Sequence, residues 1–369
     1  MADRWIAPDA LFDGAHVHPG TGLRLSGGVV AEVGPPPANA RRIAGTVTPG
    51  YVDLQVNGGG GILLNQTPTV DGMARIAAAH RTLGTVAILP TVITDAPDIL
   101  PRVAHAALAA RGAEGIAGLH IEGPHISVTR RGTHAERYVR PLDETTIRIV
   151  ADLRGAGIPV MITVAPEAVA PGQIATLAAT GAVVSLGHTD TDAATVRAAL
   201  AEGARCFTHL FNAMSPMQNR APGVTGAAIN SDAFAGIICD GVHVDDTMVA
   251  LAIRARPVPD RMFLVSDAMP TVAGPDRFDL YGAELRLRDG RLVNDEGSLA
   301  GAHVSMGESV ARLVNVLGIT PEMALRMAVT VPAALMDLPH LATLAGRAAR
   351  DVLTLDDGHA VTGTLADLN

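Results

Sequence analysis

Five short stretches carry side chains able to bind a cation or move a proton: His120-Ile121-Glu122-Gly123-Pro124-His125, Gly187-His188-Thr189, Thr208-His209-Leu210, Asp240-Gly241-Val242-His243 and Ser266-Asp267-Ala268. Glu122, His188 and His209 offer one carboxylate oxygen and two neutral imidazoles, a donor set that suits a catalytic divalent ion if a fourth position is left to water. Such an ion lowers the pKa of its water to about 7, so a nucleophile exists at neutral pH without a strongly basic side chain. Asp267 can then orient and deprotonate that water and later return the proton to a leaving amine. Both roles suit amide hydrolysis. Taken singly, a histidine in such a place is more often a hydrogen-bonded structural residue, and Asp267 a helix cap or loop carboxylate. Their recurrence just where predicted strands end is what argues for chemistry.

Those strands come from the apolar pattern. Strand-like runs are predicted over 51–56, 85–91, 116–121, 159–164, 182–186, 206–210, 235–239 and 262–266. Helical spacing of Ala and Leu is predicted over 70–83, 97–110, 144–156, 172–179, 192–202 and 246–255. Alternating strands and helices make parallel βαβ units, and eight of them close into a (β/α)8 TIM-type barrel, an α/β fold whose active site lies at the C-terminal ends of the strands. Before the barrel the chain reads as irregular, with one weakly alternating strand over 27–33 that runs into Gly34-Pro35-Pro36-Pro37. After it, 281–293 reads as two short strands around Asp289-Gly290, 303–317 and 321–330 as helices, and 351–354 as a strand. The expected organisation is a small β domain formed by 1–48 and 337–369 beside a barrel over 49–336. Gly58 to Gly61 lacks the spacing and partners of a phosphate-binding loop and is expected to be a tight turn.

Composition narrows the class of partner. The 369 residues are 48% hydrophobic but only 3% aromatic, so the core should be built of small and branched aliphatics. A net charge of -9 without a basic run gives no field for nucleic acid or an anionic membrane surface, which leaves a small molecule as the expected substrate. Cys206 and Cys239, the two cysteines, sit in apolar runs as buried thiols, and no signal peptide or membrane-length apolar run is read, so the chain is placed in the cytoplasm. His16, His18, His80, His105, His340 and His359 fall in loops or helical stretches and receive no role.

The ordered motifs go further. Pro49-Gly50-Tyr51-Val52-Asp53-Leu54-Gln55-Val56-Asn57-Gly58, Gly118-Leu119-His120-Ile121-Glu122-Gly123-Pro124, Gly187-His188-Thr189, Thr208-His209-Leu210-Phe211-Asn212-Ala213-Met214, Asp240-Gly241-Val242-His243 and Val265-Ser266-Asp267-Ala268 follow one another between about Thr48 and about Gly346. In these the chain resembles the N-acetylglucosamine-6-phosphate deacetylase family of the amidohydrolase superfamily. The resemblance implies that Glu122, His188 and His209 hold the metal, that Asp267 is general base and acid, and that His134 polarises the acetyl carbonyl. It assigns Asn212, Ala213, Arg220 and His243 to the sugar phosphate and Leu299 to a substrate-lining loop, with Arg220 reaching a neighbouring subunit's site in a homodimer. From the residues alone Arg220 is equally an ordinary surface charge. Where the superfamily carries two histidines for a second metal this chain has Gln55 and Asn57, which implies one divalent ion, zinc first, although the same ligands accept iron, manganese or cobalt. The implied reaction is hydrolysis of N-acetyl-D-glucosamine 6-phosphate to D-glucosamine 6-phosphate and acetate, in amino-sugar and cell-wall recycling. Two rivals stand beside it. An amidohydrolase acting on another amide would have no use for Asn212, Arg220 and His243 together, and a non-catalytic scaffold no reason to keep Glu122, His188, His209 and Asp267.

Overall fold

Runs rich in Val, Ile and Leu bury both faces of a strand, and such strands pair in parallel under a layer of helices. In the computed structural model, which describes residues 3–293 and 299–368, all eight expected runs do so. Tyr51–Val56, Thr85–Ile93, Leu119–Glu122, Val160–Val164, Val183–Leu186, Cys206–Phe207, Phe234–Ile237 and Met262–Leu264 lie side by side in chain order. The ring closes where Val56 bridges Ala268 in parallel and the Asn57 and Gly58 amides donate to the Ala268 carbonyl at 3.0 and 2.9 Å. The last strand thereby hands its C-terminal end, with Asp267, directly to the first.

The surrounding helices start where short polar side chains satisfy free amides. Thr69, Asp143, Asp192 and Asp245 cap Val70–Arg81, Glu144–Gly155, Ala193–Ala201 and Asp246–Ala255. Between helices and strands one continuous core is almost wholly aliphatic, with Tyr51, Phe207 and Phe263 its largest fully buried side chains inside the barrel region. Each such Leu, Val or Phe removed from water contributes roughly 1.5–3 kcal/mol. Cys206 and Cys239 are part of this core as free thiols.

A second sheet forms from the two ends of the chain. Its order is Val361–Thr364, Val352–Leu355, Arg41–Pro49, Arg4–Phe12, Gly22–Ser26 and Val29–Gly34, with Val17–Pro19 added to Arg4–Phe12. Ile6, Leu11, Leu23, Leu25, Val30, Val47, Leu344 and Val352 make its own small core. Arg41–Pro49 passes into the first barrel strand through Gly50, where a Cβ would lie 2.2 Å from a methyl of Val86, so this joint admits only glycine without repacking. Arg81 secures the sheet to the barrel by pairing with Asp351 at 2.6 Å.

Several expectations are corrected. The start of the chain is not irregular: it holds five strands where one was expected. Arg4–Phe12 escaped notice because Pro8 and Asp9 interrupt its alternation, and its register with Arg41–Pro49 shifts at that point. The segment 281–293 gains a third strand, Arg277–Leu280, ahead of Ala283–Arg288 and Arg291–Val293. Its Asp289-Gly290 turn has φ of +50° and +74°, the left-handed pair that a two-residue hairpin requires. Gly223–Ile229 is a helix that the sequence did not announce, since two glycines in seven residues hide it; burial of Val224, Ala228 and Ile229 holds it. The helix beginning at Pro321 does not end at Thr330 but widens over Arg326–Thr330 and continues to Leu335. Pro332 has no N–H to give, and the preceding Val331 amide reaches back five residues to the Arg326 carbonyl. No helix among the described residues is long and apolar enough to cross a membrane.

Candidate active site

A parallel strand that simply continued would alternate its side chains between the barrel interior and the helical layer. Here the chain turns instead: His188, His209 and Asp267 have φ of +48°, +30° and +50°, a region that residues with a Cβ rarely occupy and that costs ~1–2 kcal/mol apiece. Local bonds hold each turn, including the Ser127 amide on the His188 carbonyl at 2.8 Å and the Ala302 amide on the Asp267 carbonyl at 3.2 Å. The three side chains consequently point into the barrel mouth beside Glu122, the last residue of the third strand.

Glu122 Oε1 lies 3.2 Å from His188 Nε2 and 3.0 Å from His209 Nε2, and the two nitrogens are 3.0 Å apart. All three residues are buried. The His188 Nδ1–H donates to the Arg130 carbonyl at 2.8 Å, and because a carbonyl only accepts, the proton is on Nδ1 and Nε2 presents a bare lone pair. A lone pair aimed at a carboxylate oxygen and a second imidazole is repulsive unless something positive lies between them, so these residues fit a divalent cation. His134 also lies within 4.8 Å of Glu122 and His188. Its Nδ1 is engaged elsewhere, and the three atoms that meet at 3.0–3.2 Å are the better ligand set. Burial acts to raise the Glu122 carboxyl's pKa, and a cation shared with the two imidazoles would hold it ionised.

Asp267 stands beside this cluster, held by the two amides. Gln55 Nε2 donates to Asp267 Oδ1 at 3.0 Å and to Glu122 Oε1 at 2.9 Å, while Asn57 Nδ2 donates to Asp267 Oδ1 at 2.7 Å. Burial, then the Glu122 charge, push Asp267 up to about 6; a cation among the ligands would draw it down again. Behind it, the Ser266 amide donates to both oxygens of the fully buried Asp53, at 3.3 and 3.2 Å, which ties the eighth strand to the first just before Asp267.

A cavity of about 180 Å³ gathers Glu122, His134, His188, His209, Asn212, Ala213, His243, Asp267 and Leu299. His134 arrives on the loop after the third strand, its ring centroid 4.4 Å from that of His188, and burial pushes it down to about 3, so its ring is neutral. Asn212 Nδ2 is buried without a protein partner, a donor free for a ligand. His243 Nδ1 is braced by Asp240 at 2.6 Å, and burial of that carboxylate is outweighed by the ring and two backbone donors, which keep its pKa low. Arg220 alone among the expected site residues is not in this cavity; it lies exposed on the loop before Gly223–Ile229. Sequence reasoning missed Thr94, which follows the C-terminal end of the second strand, where chemistry-bearing groups are expected in this fold, and the bracing role of Asp53 inside the first strand. A larger cavity of about 550 Å³ opens between the N-terminal ends of the second to fourth strands and the C-terminal segment. Its Arg81, Glu114, Arg350 and Asp351 pair among themselves, and none of the cation-binding cluster reaches it.

Inward-turned imidazoles and carboxylates at the C-terminal mouth of a closed parallel barrel define a class, the metal-dependent barrel hydrolases. The amidohydrolase family model matches residues 46–369. An N-acetylgalactosamine-6-phosphate deacetylase of Shewanella sp. (strain ANA-3) is 39% identical over 87% of this chain and 82% of its own length. The N-acetylglucosamine-6-phosphate deacetylase of Homo sapiens is 33% identical over 89% and 84%. The Mycobacterium smegmatis N-acetyl-D-glucosamine-6-phosphate deacetylase, solved as a point mutant with N-acetyl-D-glucosamine-6-phosphate, superposes with a TM-score of 0.88 at 30% identity, covering 99% of this chain and 98% of that one. The chain belongs to the amidohydrolase family and, within it, to the N-acetylglucosamine-6-phosphate deacetylase family.

Proposed function

We propose that the protein hydrolyses N-acetyl-D-glucosamine 6-phosphate to D-glucosamine 6-phosphate and acetate, using one divalent ion held by Glu122, His188 and His209, with zinc the best match to that ligand set. The observation that carries this reading is the convergence of that ligand set, Asp267 and His134 on one small cavity. A bound ion would acidify a water and withdraw electrons from the amide carbonyl. Asp267 takes the water's proton as the oxygen adds to the acetyl carbon, then delivers it to the sugar nitrogen as the C–N bond breaks. His134 Nε2 donates to the acetyl oxygen while that atom carries negative charge. The free amide of Asn212 and the braced ring of His243 hold the sugar phosphate.

No arginine lines the cavity among the described residues, although a phosphate dianion is matched by a guanidinium fork. In our reading Arg220, exposed on its loop, completes the site of a second copy in a homodimer. The two buried free thiols suit a reducing, cytoplasmic setting for amino-sugar and cell-wall recycling. A second reading, the C4-epimeric N-acetyl-D-galactosamine 6-phosphate as substrate, is favoured by the 39% identity to the Shewanella enzyme of that name.

Acetate release from both sugar phosphates and from the unphosphorylated sugars, with chelated and zinc-restored protein, tests these readings together. Metal-dependent release confined to the phosphorylated sugars is expected, and the faster epimer names the substrate. Equal release from unphosphorylated sugar would remove the phosphate assignment, and no release from any would remove the deacetylase reading. Arg220→Ala is expected to raise KM for the phosphorylated substrate by roughly 10-fold or more, the scale for losing one charge-assisted contact, while the protein still elutes as a dimer.

A further inference from the structure

The second barrel strand ends at Ile93, and the next residue, Thr94, is fully buried with its hydroxyl 2.7 Å from His134 Nδ1. The surroundings hold that hydroxyl in place. A Cβ at Gly123 would lie 2.3 Å from Thr94 Oγ1, and Gly123 has a φ of +77°, so glycine both permits the turn and leaves the oxygen its room. The Tyr281 hydroxyl, in the turn between Arg277–Leu280 and Ala283–Arg288, donates to the Thr94 carbonyl.

We propose that Thr94 is a positioning residue that sets the tautomer of His134: its hydroxyl donates to Nδ1, so that Nε2 carries the ring's proton toward the acetyl oxygen. This inference rests on the deacetylase reading of His134 given above. A neutral imidazole has one N–H, and its partner decides where that proton sits. His188, the adjacent ring, shows the opposite case, because its Nδ1 meets the Arg130 carbonyl, which can only accept. Its Nε2 is thereby left bare for a cation. Thr94 supplies a group at His134 Nδ1 that can donate, and the Nε2–H then faces a carbonyl oxygen that becomes an oxyanion. If Nδ1 held the proton instead, Nε2 would present a lone pair to that oxygen and oppose the reaction. Two neighbouring imidazoles are thus set to opposite tautomers by opposite partners, one for the cation and one for the substrate.

The test compares Thr94→Val, which keeps the shape and loses the hydroxyl, with Thr94→Ser, which keeps the hydroxyl. Thr94→Val is expected to lower kcat about 10- to 100-fold, the scale for an outer partner of a functional imidazole, with KM within about twofold of wild type. Thr94→Ser should restore most of kcat. Independently of turnover, 15N spectra of histidine-labelled protein, with His134 assigned by its loss in His134→Asn, should show Nε2 protonated in wild type and the proton shifted toward Nδ1 in Thr94→Val. A wild-type ring protonated on Nδ1, an undiminished kcat in Thr94→Val, or a serine variant as slow as the valine one would each overturn the proposal. Protonated Nε2 in a wild-type protein that releases no acetate would instead remove the deacetylase reading and leave the tautomer assignment standing.

Discussion

Asp267→Asn should bind its divalent ion as wild type does and lose turnover by about 10²- to 10⁴-fold, the range for removal of a general base. The fold is expected to survive, because asparagine tolerates the left-handed backbone at φ +50° better than most residues. Its side-chain oxygen can still accept from Gln55 and Asn57, which both donate to Oδ1 of the native carboxylate. What disappears is the basic oxygen that takes a proton from water and returns it to the amine. Metal content by elemental analysis and kcat by acetate release are read on the same preparation. A variant that keeps its ion and turns over within a few-fold of wild type would take Asp267 out of the mechanism.

Glu122→Gln is expected to fail one step earlier, by losing the ion. Glu122 Oε1 is the atom on which His188, His209 and Gln55 converge, at 3.2, 3.0 and 2.9 Å. An amide there removes the anionic ligand from a buried site. Breaking a buried charge interaction costs about 3–5 kcal/mol, which corresponds to roughly 10²- to 10⁴-fold in cation affinity. Dialysed Glu122→Gln should therefore hold little metal, and activity should return only partly at high zinc. If it retained a full equivalent of tightly bound ion, another ligand set would have to be sought, with His134 the first candidate by proximity.

The contrast between the two barrel histidines that were assigned and the one that was not shows what sequence could reach. His188 lies just past the strand-like run 182–186 and His209 in the last residues of the run 206–210, so the rule that chemistry lies at the C-terminal ends of barrel strands found them. His120 lies two residues before Glu122 on the same strand, yet its ring is buried among the hydroxyls of Thr91 and Thr163. Alternation along a strand allows this, since His120 and Glu122 share a face but sit at different depths in the barrel. His125, after Gly123-Pro124, contacts the Arg140 carbonyl and Thr146 and lies outside the cavity. Within the small β domain, the strand Val352–Leu355 was visible as an apolar run, whereas Arg4–Phe12 was masked by its own proline.

By itself the sequence determined that eight apolar runs are interspersed with helical stretches and that polar groups cluster where those runs end. Those are properties of residue type and spacing, which local propensity and hydrophobic period impose on any fold the chain adopts. Only the tertiary structure decided that Asp267 meets Gln55 and Asn57, because that contact exists only once the eighth strand closes against the first. It likewise decided that Thr94 addresses His134 across 40 positions of sequence and that Arg220 stays out of its own chain's cavity. Such contacts depend on ring closure and on backbone turned into the left-handed region at His188, His209 and Asp267, a strained geometry that local preference opposes and only the surrounding packing sustains.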